Sequence, residues 1–483
     1  TCAIESNAQN GVYAAAESFD TFQGALLRWN AGVGLHLFAC ETNAVLECRS
    51  TGSSEGFRLD NLSRANILRS NVSETNSANG VYLSNAVGNA FESNVVRANA
   101  SSGFALDVQS DTNSFRWNTA DSNATTGIYV ESPRNNTIEG NSASRNGPGA
   151  GGVGIYVYLG ADSNLIRSNT CDTNTSGIYL DTASRCIVES NVVRGATGTG
   201  ITLSTSDTCL VRWNTVTGAV NIGIDVVSAD ANSIDGNVIR QGSGNAIVLQ
   251  GTSSGNAVTA NTTETNLGRG ILVSASANRA ERNVVRWNAN GGIGVQVGAG
   301  NAVDSNSVVE NLANGIDGLL GASGNLFRGN LVRSNLGMGI SVSSSNGNAF
   351  YQNEIDSNAN WQIELLGTSA VDTFQKNVIT GSPYKPDSGA TNQTATNHDL
   401  SRNWWGTTDS AAIRAKIASP GAGNELYSPF RLGSVDTVPG ADTVAPNSPD
   451  TLAATALSDT MIRLDWAASV GSEEAEAAPG QST

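Results

Sequence analysis

Lysine, histidine and methionine are almost missing. Of 483 residues, three are Lys (Lys376, Lys385, Lys416), two are His, two are Met and ten are Pro. A net charge of −16 with so little lysine leaves no basic footprint for a phosphate backbone, which excludes nucleic acid as a partner. His36 and His398 stand far apart, in no His/Asp cluster, and two Met add little, so the chain lacks the soft donors a copper centre wants. No apolar run reaches the roughly 18 residues of a membrane span. Six Cys are too few for a dense disulfide scaffold. The chain opens at Thr1 with neither Met nor signal peptide, which reads as a mature or fragment start; export is not legible there. Aromatics make up only 6 %. Gly (53 residues) and Asn are abundant instead, a mixture that suits many tight turns and opposes packed helices.

Those Asn are periodic. A phrase Asn-x-apolar-x-x-Asn begins at Asn43, Asn66, Asn89, Asn113, Asn136 and Asn164, and continues through Cys186, Cys209 and Asn232 to Asp372. Steps are 22 to 24 residues, with one of 28 between Asn136 and Asn164. A second Asn column lies five residues on, from Asn71 to Asn377, and a looser third follows it. Each coil then carries a Gly-Ile/Val-x-Leu/Val phrase, as at Gly127-Ile-Tyr-Val. Apolar residues two apart fit short strands with one inward face, and Gly and Asn tolerate left-handed turns between them. The period predicts an all-β, right-handed parallel β-helix of about 17 coils with three short strands each. Charge supports this register. Arg69, Glu92, Arg116, Glu139, Arg167, Glu189, Arg212 and Asp235 occupy one outward column with alternating sign, so stacked coils set opposite charges together.

The expected organisation is coils over 1–397, a C-terminal cap over 398–432, a linker over 433–450, and strands with an acidic tail over 451–483. Residues 381–397 read as a loop and 411–418 as a short helix. Trp404 and Trp405 fall where a further coil places its core and are expected to plug the end.

Across about residues 1–430 the chain resembles the right-handed parallel β-helix repeat (pectin-lyase-like) superfamily, on its Asn-x-Ile-x-x-Asn … Gly-Ile-x-Leu coils and its Asn403-Trp-Trp-Gly-Thr-Thr-Asp409 ending. The periplasmic protein that matures the copper site of nitrous oxide reductase shares this type of repeat. Val444–Trp466 resembles the first two strands of a fibronectin type III domain, which would be incomplete here. The resemblance implies a secreted or cell-surface protein. It leaves function broad, since the superfamily mixes polysaccharide enzymes, adhesins and structural proteins.

The Gly-Ile-x-Leu strands point two side chains outward. Tyr82, Tyr129, Tyr156 and Tyr179 share one outward column; Asp107, Glu131, Tyr158 and Asp181 share the next. The 28-residue step inserts a Gly-rich loop, 146–152, beside them. Tyr rings stack on sugars and carboxylates accept from hydroxyls, so these eight residues are the candidate carbohydrate-binding set. Equally, Tyr suits strands and outward acids confer solubility. Asp107, Glu131 and Asp181 are the only catalytic candidates. Glu131 and Asp181, two coils and so roughly 9–10 Å apart, sit at the edge of an inverting pair's spacing of about 6.5–9.5 Å. The alginate-epimerase motif Asp-Pro-His-Asp is absent, and Arg58, near Asp60, is the one base on this face. No metal ligand set is apparent; Ca²⁺ is the one cofactor that would fit, bridging an acidic protein to a polyuronate. Cys186 and Cys209 share a column on adjacent coils, as a disulfide or as two buried thiols; Cys40 and Cys48 form a weaker pair.

The expected role is a non-catalytic spacer, adhesin or polysaccharide-binding module, with a polysaccharide or cell-surface glycan as partner. A polysaccharide hydrolase or lyase is one alternative. Self-association into a surface filament or sheath, through exposed ends or the unfinished C-terminal strands, is another.

Overall fold

The computed structural model describes residues 2–148, 151–319, 321–382, 385, 388–421, 423, 425–433, 451–458 and 461–467. Most of the linker and the whole acidic tail lie outside this set.

Each coil folds as its apolar spacing dictates. In the turn that starts at Asn89 the strands are Ala90–Glu92, Val95–Arg97 and Phe104–Leu106. They belong to three parallel sheets, called faces 1, 2 and 3, and each strand pairs with its equivalent one turn on. Phe91 lies against Phe115, Val96 against Ala120 and Leu106 against Val130. About 18 turns stack into a right-handed parallel solenoid, each rising about 4.8 Å. The inward columns make one continuous dry core. Within it Phe91 and Phe115 stack at 4.6 Å, and Phe327, Phe350 and Phe374 at 4.5 and 4.3 Å.

The corners are built by a pair of residues. The residue before each ladder Asn takes the left-handed conformation: φ is 55° at Ser70, 53° at Ser93 and 57° at Trp117. For an L-residue this costs roughly 1–2 kcal/mol. The Asn that follows offsets it. Asn71 donates from its backbone N and its Nδ2 to Asn94 Oδ1, both at 3.0 Å, and from Nδ2 to the Val45 carbonyl at 2.9 Å. The same three bonds recur at Asn94, Asn118, Asn141 and onward, so a buried amide is satisfied at every turn. The ladder Asn thus supplies hydrogen bonds at the corner, while the left-handed seat belongs to its neighbour.

The outward charges pair as the alternation requires. Arg69 meets Glu92 at 2.7 Å, and Glu139 is held between Arg116 (3.0 Å) and Arg167 (2.8 Å). Glu189 takes Arg212 at 2.7 Å. Asp235 departs from the pattern and accepts from Thr259. The two guanidiniums hold the Glu139 carboxyl below its ordinary range. Glu139→Arg would set three cations in a row. Losing two exposed pairs and adding repulsion should lower stability by about 1–2 kcal/mol. Urea unfolding in low and in high salt checks this, because screening should shrink the loss.

The chain's end differs from the reading above in two ways. The stretch expected as a loop contributes a strand, Ala390–Asn392, paired to face 3. The helix is Ser410–Ala415, capped by Asp409, and Ile417–Ala418 after it is again strand. Together with His398–Asp399 and Glu425–Leu426, these pieces prolong the stack past the last regular coil. Pairing alone decides this, since Gly- and Thr-rich segments carry little apolar alternation to read. Trp405 is completely buried there, and Trp404 is half-buried beside Val378. Thr451–Ser458 pairs antiparallel with Met461–Ala467 as a separate two-stranded sheet.

Candidate functional site

Face 3 lengthens in the middle of its first half. Its strands are three or four residues long in most turns, but six in Thr126–Glu131, Val153–Tyr158 and Ser176–Asp181. The register puts Tyr82, Ala105, Tyr129, Tyr156 and Tyr179 in one outward file. Tyr129 and Tyr156 lie with ring centroids 5.5 Å apart, Tyr156 and Tyr179 5.1 Å apart and nearly parallel. Ala105 breaks the file. With no ring there, a groove of about 470 Å³ opens between Tyr82 and Tyr129.

Six of the eight candidate binding residues line this groove: Tyr82, Asp107, Tyr129, Glu131, Tyr156 and Tyr179. Tyr158 and Asp181 sit just beyond, Tyr158 packed 5.6 Å from Tyr156 and Asp181 accepting from Tyr156 Oη at 3.3 Å. Asp107, Glu131 and Asp181 each take a phenol. Tyr82 Oη donates to Asp107 Oδ2 at 2.7 Å and Tyr129 Oη to Glu131 Oε2 at 2.9 Å. Burial first, and the Asp107 carboxylate second, push the Tyr82 phenol up to about 12. Burial and the neighbouring carboxylates push Tyr129 and Tyr156 up as well. The phenols stay protonated at neutral pH and act as donors, not bases. Tyr158 fills the register position between Glu131 and Asp181, so the pair considered for an inverting mechanism has a ring between its members.

Reading the sequence missed two features. The groove wall also includes Ser101, Ser102, Thr125 and Thr126, in the turns entering face 3. Their signal was consecutive hydroxyl residues directly before the Gly of the coil phrase. The second feature corrects the view that neither His has an acidic partner. His36 Nε2 lies 2.9 Å from Asp60 Oδ1, one turn up on face 3, and Arg58 Nε donates to Asp60 Oδ2 at 2.8 Å. Residues 24 apart were one coil apart, a contact that linear spacing hid. Arg58 also reaches Glu55 at 3.5 Å and lies over the Tyr82 ring at 4.9 Å. Of the insertion, Gly151 reaches the groove, while residues 149–150 lie outside the described set.

All six cysteines are free thiols. Cys186 and Cys209 keep their place in the first Asn column, their Sγ atoms donating to the Ala161 and Ala183 carbonyls. Cys209 beside it, then burial, raise the Cys186 thiol. Cys40 and Cys48 bond to different corners of the coil, through the Ala14 and Phe22 carbonyls.

A family model described as Periplasmic copper-binding protein (NosD) matches residues 1–150 and 229–389. That is well over half of the chain. The chain belongs to this family. A second model, Right handed beta helix region, matches residues 105–239. Membership in a periplasmic family agrees with the secreted or cell-surface setting implied by the repeat, and no helix among the described residues is long and apolar enough to cross a membrane. No curated protein matches the chain. Among solved structures, the A-module of mannuronan C-5 epimerase AlgE6 from Azotobacter vinelandii is 13 % identical, over 78 % of this chain and 92 % of that one, with a TM-score of 0.40. An alginate lyase from Paenibacillus sp. is 15 % identical over 55 % and 87 %, TM-score 0.34. A DFA-IIIase from Arthrobacter chlorophenolicus is 16 % identical over 57 % and 89 %, TM-score 0.37. The likeness is one of fold.

The copper in the family's description finds no donor set here. Among the described residues no three His, Cys, Asp or Glu side chains are placed to hold a metal ion. His36 is engaged by Asp60 and Asn10, and His398 is buried against the hydroxyls of Thr394 and Thr396. The Cys186–Cys209 pair is sealed in the core. These residues do not fit a copper centre.

Proposed function

We propose that this NosD-family β-helix is a rigid, non-catalytic module that holds a glycan chain along face 3. The observation that carries the reading is the break at Ala105: one missing ring turns a tyrosine ladder into a groove with aromatic ends and carboxylates along one side. Small pockets that combine apolar walls with a few polar groups are the usual form of a ligand site. The rod beneath is stiff, because every turn is hydrogen-bonded to the next on three faces, which suits a spacer. The phenols bonded to Asp107, Glu131 and Asp181 stay protonated and hold these carboxylates as fixed acceptors, which favours binding over catalysis.

Affinity electrophoresis through gels containing soluble glycans tests this. The wild-type protein should be retarded. Tyr129→Ala should weaken binding about ten-fold, the loss of roughly one aromatic contact. Ala105→Tyr completes the ladder with a residue that strands favour, so it should abolish retardation without lowering thermal stability. Retardation unchanged by Ala105→Tyr would exclude the groove.

A further inference from the structure

Resting on the reading of face 3 as a glycan groove, the geometry points to a ligand class: a glycan rich in hydroxyl donors and free of carboxylate or sulfate groups. Charge is the first argument. Asp107 and Glu131 border the groove, and Asp181 stands immediately beyond them. Among the described residues no Lys, Arg or His lines it. Arg58, which lies over the Tyr82 ring, spends its guanidinium on Asp60 and Glu55. A bound uronate would therefore face carboxylates with no free counter-charge, a like-charge juxtaposition that opposes binding.

Hydrogen-bond polarity is the second argument. The phenols of Tyr82, Tyr129 and Tyr156 donate inward to protein carboxylates, so they are not free to donate to a ligand. Asp107 Oδ1 accepts from the Val108 backbone N at 2.7 Å, and Glu131 Oε1 has no protein donor among the described residues. Carboxylate oxygens retain further acceptor capacity. The groove thus offers carboxylate acceptors, aromatic surface and the hydroxyls of Ser101, Ser102, Thr125 and Thr126, which donate or accept, the complement of neutral sugar hydroxyls. Polyuronates bring acceptors and negative charge to a site already supplied with both.

Matched polymers separate the possibilities. Polygalacturonate and alginate would each be compared with their carboxyl-reduced, neutral forms, alongside neutral glucans and mannans, by affinity electrophoresis in low salt and without divalent ions. At least one neutral polymer should retard the protein, its acidic counterpart should bind at least about ten-fold more weakly, and Asp107→Asn with Glu131→Gln should narrow that gap. If an acidic polymer binds as tightly as its reduced form, and Ala105→Tyr abolishes it, the ligand class is wrong and the groove stands. If no polymer is retarded, or Ala105→Tyr changes nothing, the groove itself is wrong and the ligand class falls with it.

Discussion

Asn214→Ala is expected to lower the free energy of unfolding by about 3–5 kcal/mol. The side chain is fully buried. Its Oδ1 accepts from both the backbone N and the Nδ2 of Asn191, and its Nδ2 donates to the Val188 carbonyl and to Asn237 Oδ1. Alanine would strand the Asn191 backbone amide in a dry interior, leave a cavity, and take from the Val188 carbonyl and the Asn191 Nδ2 one partner each. Each unsatisfied buried group costs roughly 1–3 kcal/mol. Trp213, in the left-handed seat beside it, would also lose the bonds that hold that corner. Because stability in a solenoid is carried by neighbour-to-neighbour interfaces, the break should also split the unfolding transition in two. Urea titration followed by circular dichroism reads both effects, with the exposed-face substitution Ser204→Ala as the control. A loss below about 1 kcal/mol would mean that the ladder bonds are replaceable by water.

Asp372→Asn should do the opposite. Asp372 ends the first Asn column, and its Oδ1 accepts from the Asn348 backbone N and Nδ2 at 2.8 and 3.0 Å. Its Oδ2 is buried without a donor. Burial lifts its carboxyl from 3.8 to about 6. A carboxyl that is harder to ionise when folded makes the folded state weaker as pH rises. No penalty exists below the unfolded value near 3.8, it grows between pH 4 and 6, and it is complete above 6. At full ionisation it amounts to about 2–3 kcal/mol. Asparagine keeps the acceptor and supplies an amide in place of the bare oxygen. Asp372→Asn should therefore be more stable than wild type by that amount at pH 7.5 and equal to it at pH 4. Thermal melts at the two pH values check the sign, and a variant less stable at pH 7.5 would contradict it.

The architecture was legible because its two determinants repeat at a fixed period. The Asn columns and the alternating Arg69–Glu92–Arg116–Glu139 file both demand equivalent residues one turn apart, and a shift of one coil would set like charges together. The last turns were less legible, since Ala390–Asn392 and His398–Asp399 form strands by pairing to what lies beneath them. Part of the groove could be read as well: the tyrosine and carboxylate files follow from register alone. What could not be read was the internal bonding. That Tyr82, Tyr129 and Tyr156 spend their phenols on the carboxylates beside them depends on side-chain rotamers. The same is true of the His36–Asp60–Arg58 cluster, whose members lie on two coils and in two files.

A crystal of the wild-type protein soaked with an oligosaccharide of the best-retained neutral glycan tests the central claim most directly. Density for a sugar ring should lie over Ala105, against the Tyr129 ring, with ring hydroxyls on Asp107 or Glu131. Sugar density elsewhere on the rod, with the space above Ala105 empty, would contradict it.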